Sequence, residues 1–169
     1  MSRPWSVYES MGRAGEQRIR VGVADMAVTD TGTPLVTSGL GSCVAIGVHD
    51  GDGVAGLLHA MLPAAPEDGL SKAKYVDSGI QTMKAELTAL GADPNKLTAK
   101  IAGGSSMLNL DSGEPVGDKN VAETNQVLDR QGIELAGDDT GGNSGRSVTF
   151  QPRTGTMHIQ RVDAAPTEL

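Results

Sequence analysis

Residues 36–63 read VTSGLGSCVAIGVHDGDGVAGLLHAMLP, and the folding of this stretch decides what surrounds it. Apolar residues run from Cys43 to Val48 and again from Val54 to Leu62, and Pro63 closes the second run. Between them stands Asp50-Gly51-Asp52-Gly53, a turn composition, because Gly and Asp tolerate the left-handed backbone that tight hairpins require. Two antiparallel strands are therefore expected, over 43–48 and 54–62. Pairing Val44 with His59 would put Cys43 and His59 on opposite faces. Pairing Cys43 with His59 matches Val44 with Leu58, Ile46 with Gly56 and Val48 with Val54, and gathers Val44, Ile46, Val48, Val54 and Leu58 on one apolar face. A sheet buries one coherent face, so the second register is expected. It sets thiol and imidazole opposite one another, with Cβ atoms ~5 Å apart.

Outward from this hairpin, residues 18–28 (RIRVGVADMAV) alternate as a strand, and Leu35-Val36-Thr37 begin another after a turn-rich stretch over 29–34. Val76, Ile80, Met83, Leu87 and Leu90 recur at helical spacing, so a helix is expected over 71–90, with Gly91 at its C-terminal cap. Leu97, Ala99 and Ile101 alternate as a strand running into Gly103-Gly104. A second helix is expected over 118–131, with Val121, Thr124 and Leu128 on one face, and a short strand over 133–136. A final hairpin joins 147–151 to 156–161 through Pro152-Arg153-Thr154-Gly155. The expected organisation is a poorly ordered extension over 1–17, one α+β domain over 18–162, and a loose tail over 163–169.

Composition narrows the function. The chain has 169 residues, with 38% hydrophobic but only 2% aromatic residues, so its core is aliphatic and lacks platforms for stacking on bases. A net charge of −7 disfavours nucleic acid and anionic membranes as partners. No apolar run approaches the ~18 residues of a membrane span. A single cysteine permits no internal disulfide, and the first twenty residues lack the apolar core of a secretory leader. A cytoplasmic protein without membrane insertion is expected.

The chemistry centres on Cys43. It follows Gly39-Leu40-Gly41-Ser42, where glycines allow a sharp bend and leave N–H groups, at Gly41 and Ser42 among others, free for an oxyanion. A thiol needs a base or a positive neighbour to attack at neutral pH, and enhanced alkylation below neutral pH would mark such activation. His59, an imidazole on an apolar strand, is the natural base. The plainer alternatives are a buried structural cysteine and a hydrogen-bonded core histidine. Thr37 could orient the imidazole, although a threonine in a strand is ordinarily just a β-former. His49, beside the turn, and His158 are expected in solvent. No metal-ligand spacing is present, and no cofactor is expected. Gly103, Gly104 and Ser105 form one glycine-rich loop and Gly141 and Gly142 another, braced by Arg146. Neither is a phosphate loop, and both are candidates to line a shallow, open cleft.

The segments TSGLGSCVAIGVHD, GVAGLLHAMLP, KYVDSGI, AKIAGGSSM and DDTGGNSGRSV, with the Thr-Gly turn of the last hairpin, resemble the CheD family of chemoreceptor glutamine deamidases. The similarity spans residues 20–160. It implies a Cys-His-Thr triad falling on Cys43, His59 and Thr37, and a three-layer α/β/β fold with mixed sheets, like that of the cytotoxic necrotising factor toxins. It further implies hydrolysis of receptor glutamine amides to glutamate with release of ammonia, and a chemotaxis phosphatase as partner. The alternatives are a methyl-ester hydrolase of the same receptors, or an adaptor that mainly binds receptors or the phosphatase. Ser38 and Lys119 depart from the residues common in the family, which bears on partner contacts rather than on the triad.

Overall fold

The computed structural model describes residues 8–11, 17–106 and 113–169. These form β1 (Tyr8–Met11), β2 (Gln17–Arg20), β3 (Asp25–Thr29), β4 (Leu35–Leu40), β5 (Val44–His49), β6 (Ala55–Ala60), α1 (Val76–Ala89), β7 (Thr98–Gly103), α2 (Val116–Arg130), β8 (Glu134–Thr140), β9 (Arg146–Phe150), β10 (Met157–Arg161) and β11 (Thr167–Glu168). One sheet has the order β1-β2-β4-β9-β10-β11 and the other β3-β6-β5-β7-β8. Both are mixed, since β2 runs parallel to β4 and β7 parallel to β8.

Two apolar layers hold these elements together. Alternate residues of β5 and β6 point in opposite directions, so Val44, Ile46, Val48 and Leu58 meet Val76, Ile80, Met83 and Leu87 of α1 and Val127 and Leu128 of α2. Ala45, Leu57, Ala27 and Ala102 turn the other way and meet Leu35, Leu40, Val148, Phe150 and Ile159 of the second sheet. The result is three layers, helices on sheet on sheet, as the resemblance implied. Each fully buried Leu, Ile or Phe in these layers contributes roughly 1.5–3 kcal/mol. The central sheet carries small residues where the layers come closest. A Cβ on Gly47 would stand 2.8 Å from the ring of Phe150.

Several expected elements are corrected. Residues 18–28 are two strands in different sheets, because the chain turns at Ala24, a non-glycine residue held at φ 56°. The helix expected from residue 71 opens as a 3-10 turn at Lys72–Lys74, and α1 starts only at Val76. Strand β8, expected over 133–136, continues to Thr140 because it pairs along β7. Asp139, inside it, takes an ion pair from Arg161. The tail expected to be loose returns as β11, with Leu169 exchanging main-chain bonds of 3.1 and 2.9 Å with Met157. Of the extension over 1–17, residues 1–7 and 12–16 lie outside the described residues, as does Met107 of AKIAGGSSM, while Tyr8–Met11 pair with β2.

Candidate active site

The β5–β6 hairpin keeps the expected faces but not the expected register. Asp50 Oδ1 accepts from the N–H groups of Asp52 and Val54 at 2.8 and 3.0 Å, closing a turn over 50–54. The ladder therefore closes at His49–Ala55 and places Ala45, not Cys43, opposite His59. A displacement of two residues preserves the side-chain face. Cys43 and His59 still turn toward the space between the sheets, now as diagonal neighbours whose backbones such a pairing holds about 7–8 Å apart.

His59 is fully buried, and its Nδ1 lies 2.7 Å from the Thr37 hydroxyl. The same hydroxyl lies 2.7 Å from the carbonyl oxygen of Val21. A carbonyl can only accept, so the one hydroxyl proton goes to Val21, and the hydroxyl must accept from His59. The proton of the neutral ring therefore sits on Nδ1, and Nε2 presents a lone pair. Nε2 is buried with no hydrogen-bond partner among the described residues. Burial pulls the His59 pKa down to about 4, so the ring is neutral at physiological pH. This is the electronic state of a general base.

Thr37 reaches His59 from the other sheet because it lies with Leu35 on the buried face of β4, which turns irregular only beyond it. The strand's pairing with β9 slips between Thr37 and Leu40, and Gly39 takes φ 74° there. Past this bulge the chain crosses between the sheets, delivering Gly41, Ser42 and Cys43 to the start of β5. Cys43 is half-buried and packs against the inter-sheet core. Burial pushes its thiol pKa up, partly offset by its own backbone N–H. The thiol is therefore protonated at rest, contrary to the expectation of a thiol activated below neutral pH.

Of the two glycine loops expected to rim the site, the first lies behind the Cys43 segment. Gly103, Gly104 and Ser105 are buried, and the N–H groups of Gly104 and Ser105 donate to the carbonyls of Cys43 and Gly41 at 2.8 and 2.9 Å. A Cβ on Gly103, at φ 112°, would lie 2.3 Å from the Cys43 carbonyl oxygen, so only glycine fits there. Gly141 donates to Gly103 O and Gly142 accepts from Ser106, while Arg146 donates to Gly141 O at 2.9 Å and braces that loop as expected. His158 is exposed beside Glu168. His49 is not free in solvent. It is half-buried with its ring against Phe150, and burial lowers its pKa.

One residue of the site escaped the sequence reading. The Asn120 amide, buried on α2, donates to the carbonyls of Ser42 at 2.9 Å and Met61 at 3.0 Å, joining the segment before Cys43 to the end of the strand carrying His59. A polar residue in step with the buried Gly117 and Thr124 was the available signal. A cavity of about 920 Å³ opens beside Thr37, Ser38, Asp25 and Arg20 and is not lined by Cys43. Among the described residues no group of His, Cys, Asp and Glu is arranged to hold a metal ion.

Fold and site together define a three-layer α+β protein with a half-buried thiol and a threonine-bonded imidazole turned toward the same inter-sheet layer. Comparison with known proteins names the family. A family model described as CheD chemotactic sensory transduction matches residues 61–161, and the chain belongs to the CheD family. A Haloarcula marismortui protein named "Probable chemoreceptor glutamine deamidase CheD" is 41% identical, over 92% of this chain and 91% of its own. A protein of the same name from Natronomonas pharaonis is 40% identical, over 90% and 93%. Among solved structures, the C-terminal domain of CNFy from Yersinia pseudotuberculosis aligns with a TM-score of 0.40 and 11% identity, covering 92% of this chain and 64% of that one.

Proposed function

We propose that this protein hydrolyses glutamine side-chain amides on the cytoplasmic helices of chemoreceptors, with Cys43 as nucleophile, His59 as base and Thr37 as the residue that orients the base. Within a CheD family member, the observation that carries this reading is the Thr37–His59 bond, which commits Nε2 to its basic form in the layer where Cys43 packs. Nε2 takes the thiol proton as Sγ attacks the amide carbon, forming the S–C bond and an oxyanion. Collapse breaks the C–N bond, and ammonia leaves with the proton returned by Nε2. Water, deprotonated at Nε2, then cleaves the thioester to give glutamate and the free thiol. A neutral thiol and a neutral imidazole suit proton transfer at the moment of attack rather than a standing ion pair.

The chemoreceptor is the substrate in the cytoplasm, and a chemotaxis phosphatase is the second partner in this reading. Free glutamine is a poor fit in this reading, because it lacks the binding area remote from the reacting amide that a receptor helix supplies. The test incubates the protein with a receptor cytoplasmic fragment, scores by mass spectrometry the mass gain of amide converted to acid, and compares free glutamine at equal concentration. Conversion of receptor glutamines that depends on Cys43 supports the reading. Equal turnover of free glutamine, or no conversion of the receptor, overturns it.

A further inference from the structure

We infer that Asn120 is a positioning residue for the oxyanion site: by holding the Ser42 carbonyl, it aims the Cys43 N–H at the place where the substrate oxygen becomes charged. This rests on the acyl-transfer reading above. Both of its acceptors are carbonyls, at 2.9 and 3.0 Å, so the side-chain nitrogen faces them and the amide orientation is fixed.

The consequence follows from peptide geometry. Every peptide bond described is trans, and in a trans peptide the C=O and N–H point in opposite directions. Fixing the Ser42 carbonyl toward α2 therefore turns the N–H of Cys43, in the same plane, away from it. The two neighbouring planes are fixed as well, since Gly41 O accepts from Ser105 and Cys43 O from Gly104. Three successive carbonyls thus point into the protein, while the N–H groups of Ser42 and Cys43 meet no main-chain acceptor among the described residues. Preorganised N–H donors of this kind stabilise a tetrahedral oxyanion.

A packing role does not account for Asn120. Its side-chain oxygen is buried with no hydrogen-bond partner among the described residues, an unfavourable state that an apolar residue of similar size would avoid. What an apolar residue could not supply is the N–H pair that ties Ser42 to Met61.

The test separates reactions of Cys43 that pass through an oxyanion from those that do not. With p-nitrophenyl acetate, Sγ attacks the ester carbon, the thiol proton passes to His59, and the C–O bond to p-nitrophenolate breaks after an oxyanion has formed. With iodoacetamide, Sγ displaces iodide and no oxyanion forms. In Asn120→Leu, which adds no charge near the thiol, acylation is expected to fall about 10²-fold while alkylation changes by less than about threefold. Parallel loss of both rates would mean that Asn120 acts on the thiol or the fold, and overturns the inference. Unchanged acylation overturns it too, as does a wild-type chain that is alkylated but never acylated. Should Asn120→Leu lose its circular dichroism, Asn120→Ser carries the same comparison. Acylation that depends on Asn120, without ammonia release from the receptor fragment, would refute the deamidase reading and leave this inference standing.

Discussion

The hydroxyl of Thr37 and Nδ1 of His59 meet at 2.7 Å although the two residues belong to different sheets. The hydroxyl proton is committed to Val21 O, so the bond has only one direction, and it determines which ring nitrogen is basic.

Replacing Thr37 by Val keeps the shape and removes the acceptor. The buried Nδ1–H then lacks a partner, at a cost of about 1–3 kcal/mol in unfolding free energy, and kcat for ammonia release is expected to fall about 10²-fold. Thr37→Ser, which retains the hydroxyl, should restore most of the rate. Equal rates for the Val and Ser variants would reduce Thr37 to a strand residue.

Cys43→Ala should abolish ammonia release and leave the thermal midpoint nearly unchanged, because the lost thiol is half-buried and the replacement is small. A calorimetric scan beside the turnover assay decides between a nucleophile and a core cysteine. A large drop in the midpoint would favour the latter.

Stability should depend on pH through His59. Its folded pKa, about 4, lies below the unfolded value near 6.5, so between these values the unfolded chain binds the extra proton. Its contribution is complete above about 6.5, declines as pH falls toward 4 and is flat below, of the order of 3 kcal/mol in all. Carboxylates titrate in the same range, so the quantity to measure is wild type minus His59→Gln in urea midpoints at several pH values. A difference independent of pH would refute it.

Gly103→Ala forces a Cβ to within 2.3 Å of the Cys43 carbonyl at a φ that L-residues avoid. A loss of about 1–3 kcal/mol is expected, together with slower turnover, because the obstructed carbonyl belongs to Cys43, the proposed nucleophile. Full activity would show that the Cys43 loop can shift without harm.

The faces of Cys43 and His59 were legible in the sequence because the aliphatic pattern of the hairpin fixes parity. The register was not, since two turns of equal length differ only in where Asp50 caps. Placing Thr37 beside His59 required the family resemblance, because no period along the chain connects residues of separate sheets. The glycine loops were visible by composition, but the position of Gly103–Ser105 behind Cys43 depends on long-range main-chain bonds with no pattern in the chain. Asn120 could have been found. It falls four before Thr124 on the inner face of α2, where a polar side chain needs a reason.

Thr37, Cys43 and His59 are distributed across the seam between two sheets that touch through a largely aliphatic layer that includes the ring of Phe150. Their alignment is therefore a gauge of how those sheets sit on each other. Sliding one over the other by a fraction of a residue would leave every ladder, both helices and the far-ultraviolet spectrum unaltered while parting hydroxyl from imidazole. Heat or a cavity at Phe150 should silence the protein at temperatures where it still scatters, sediments and absorbs as a native fold.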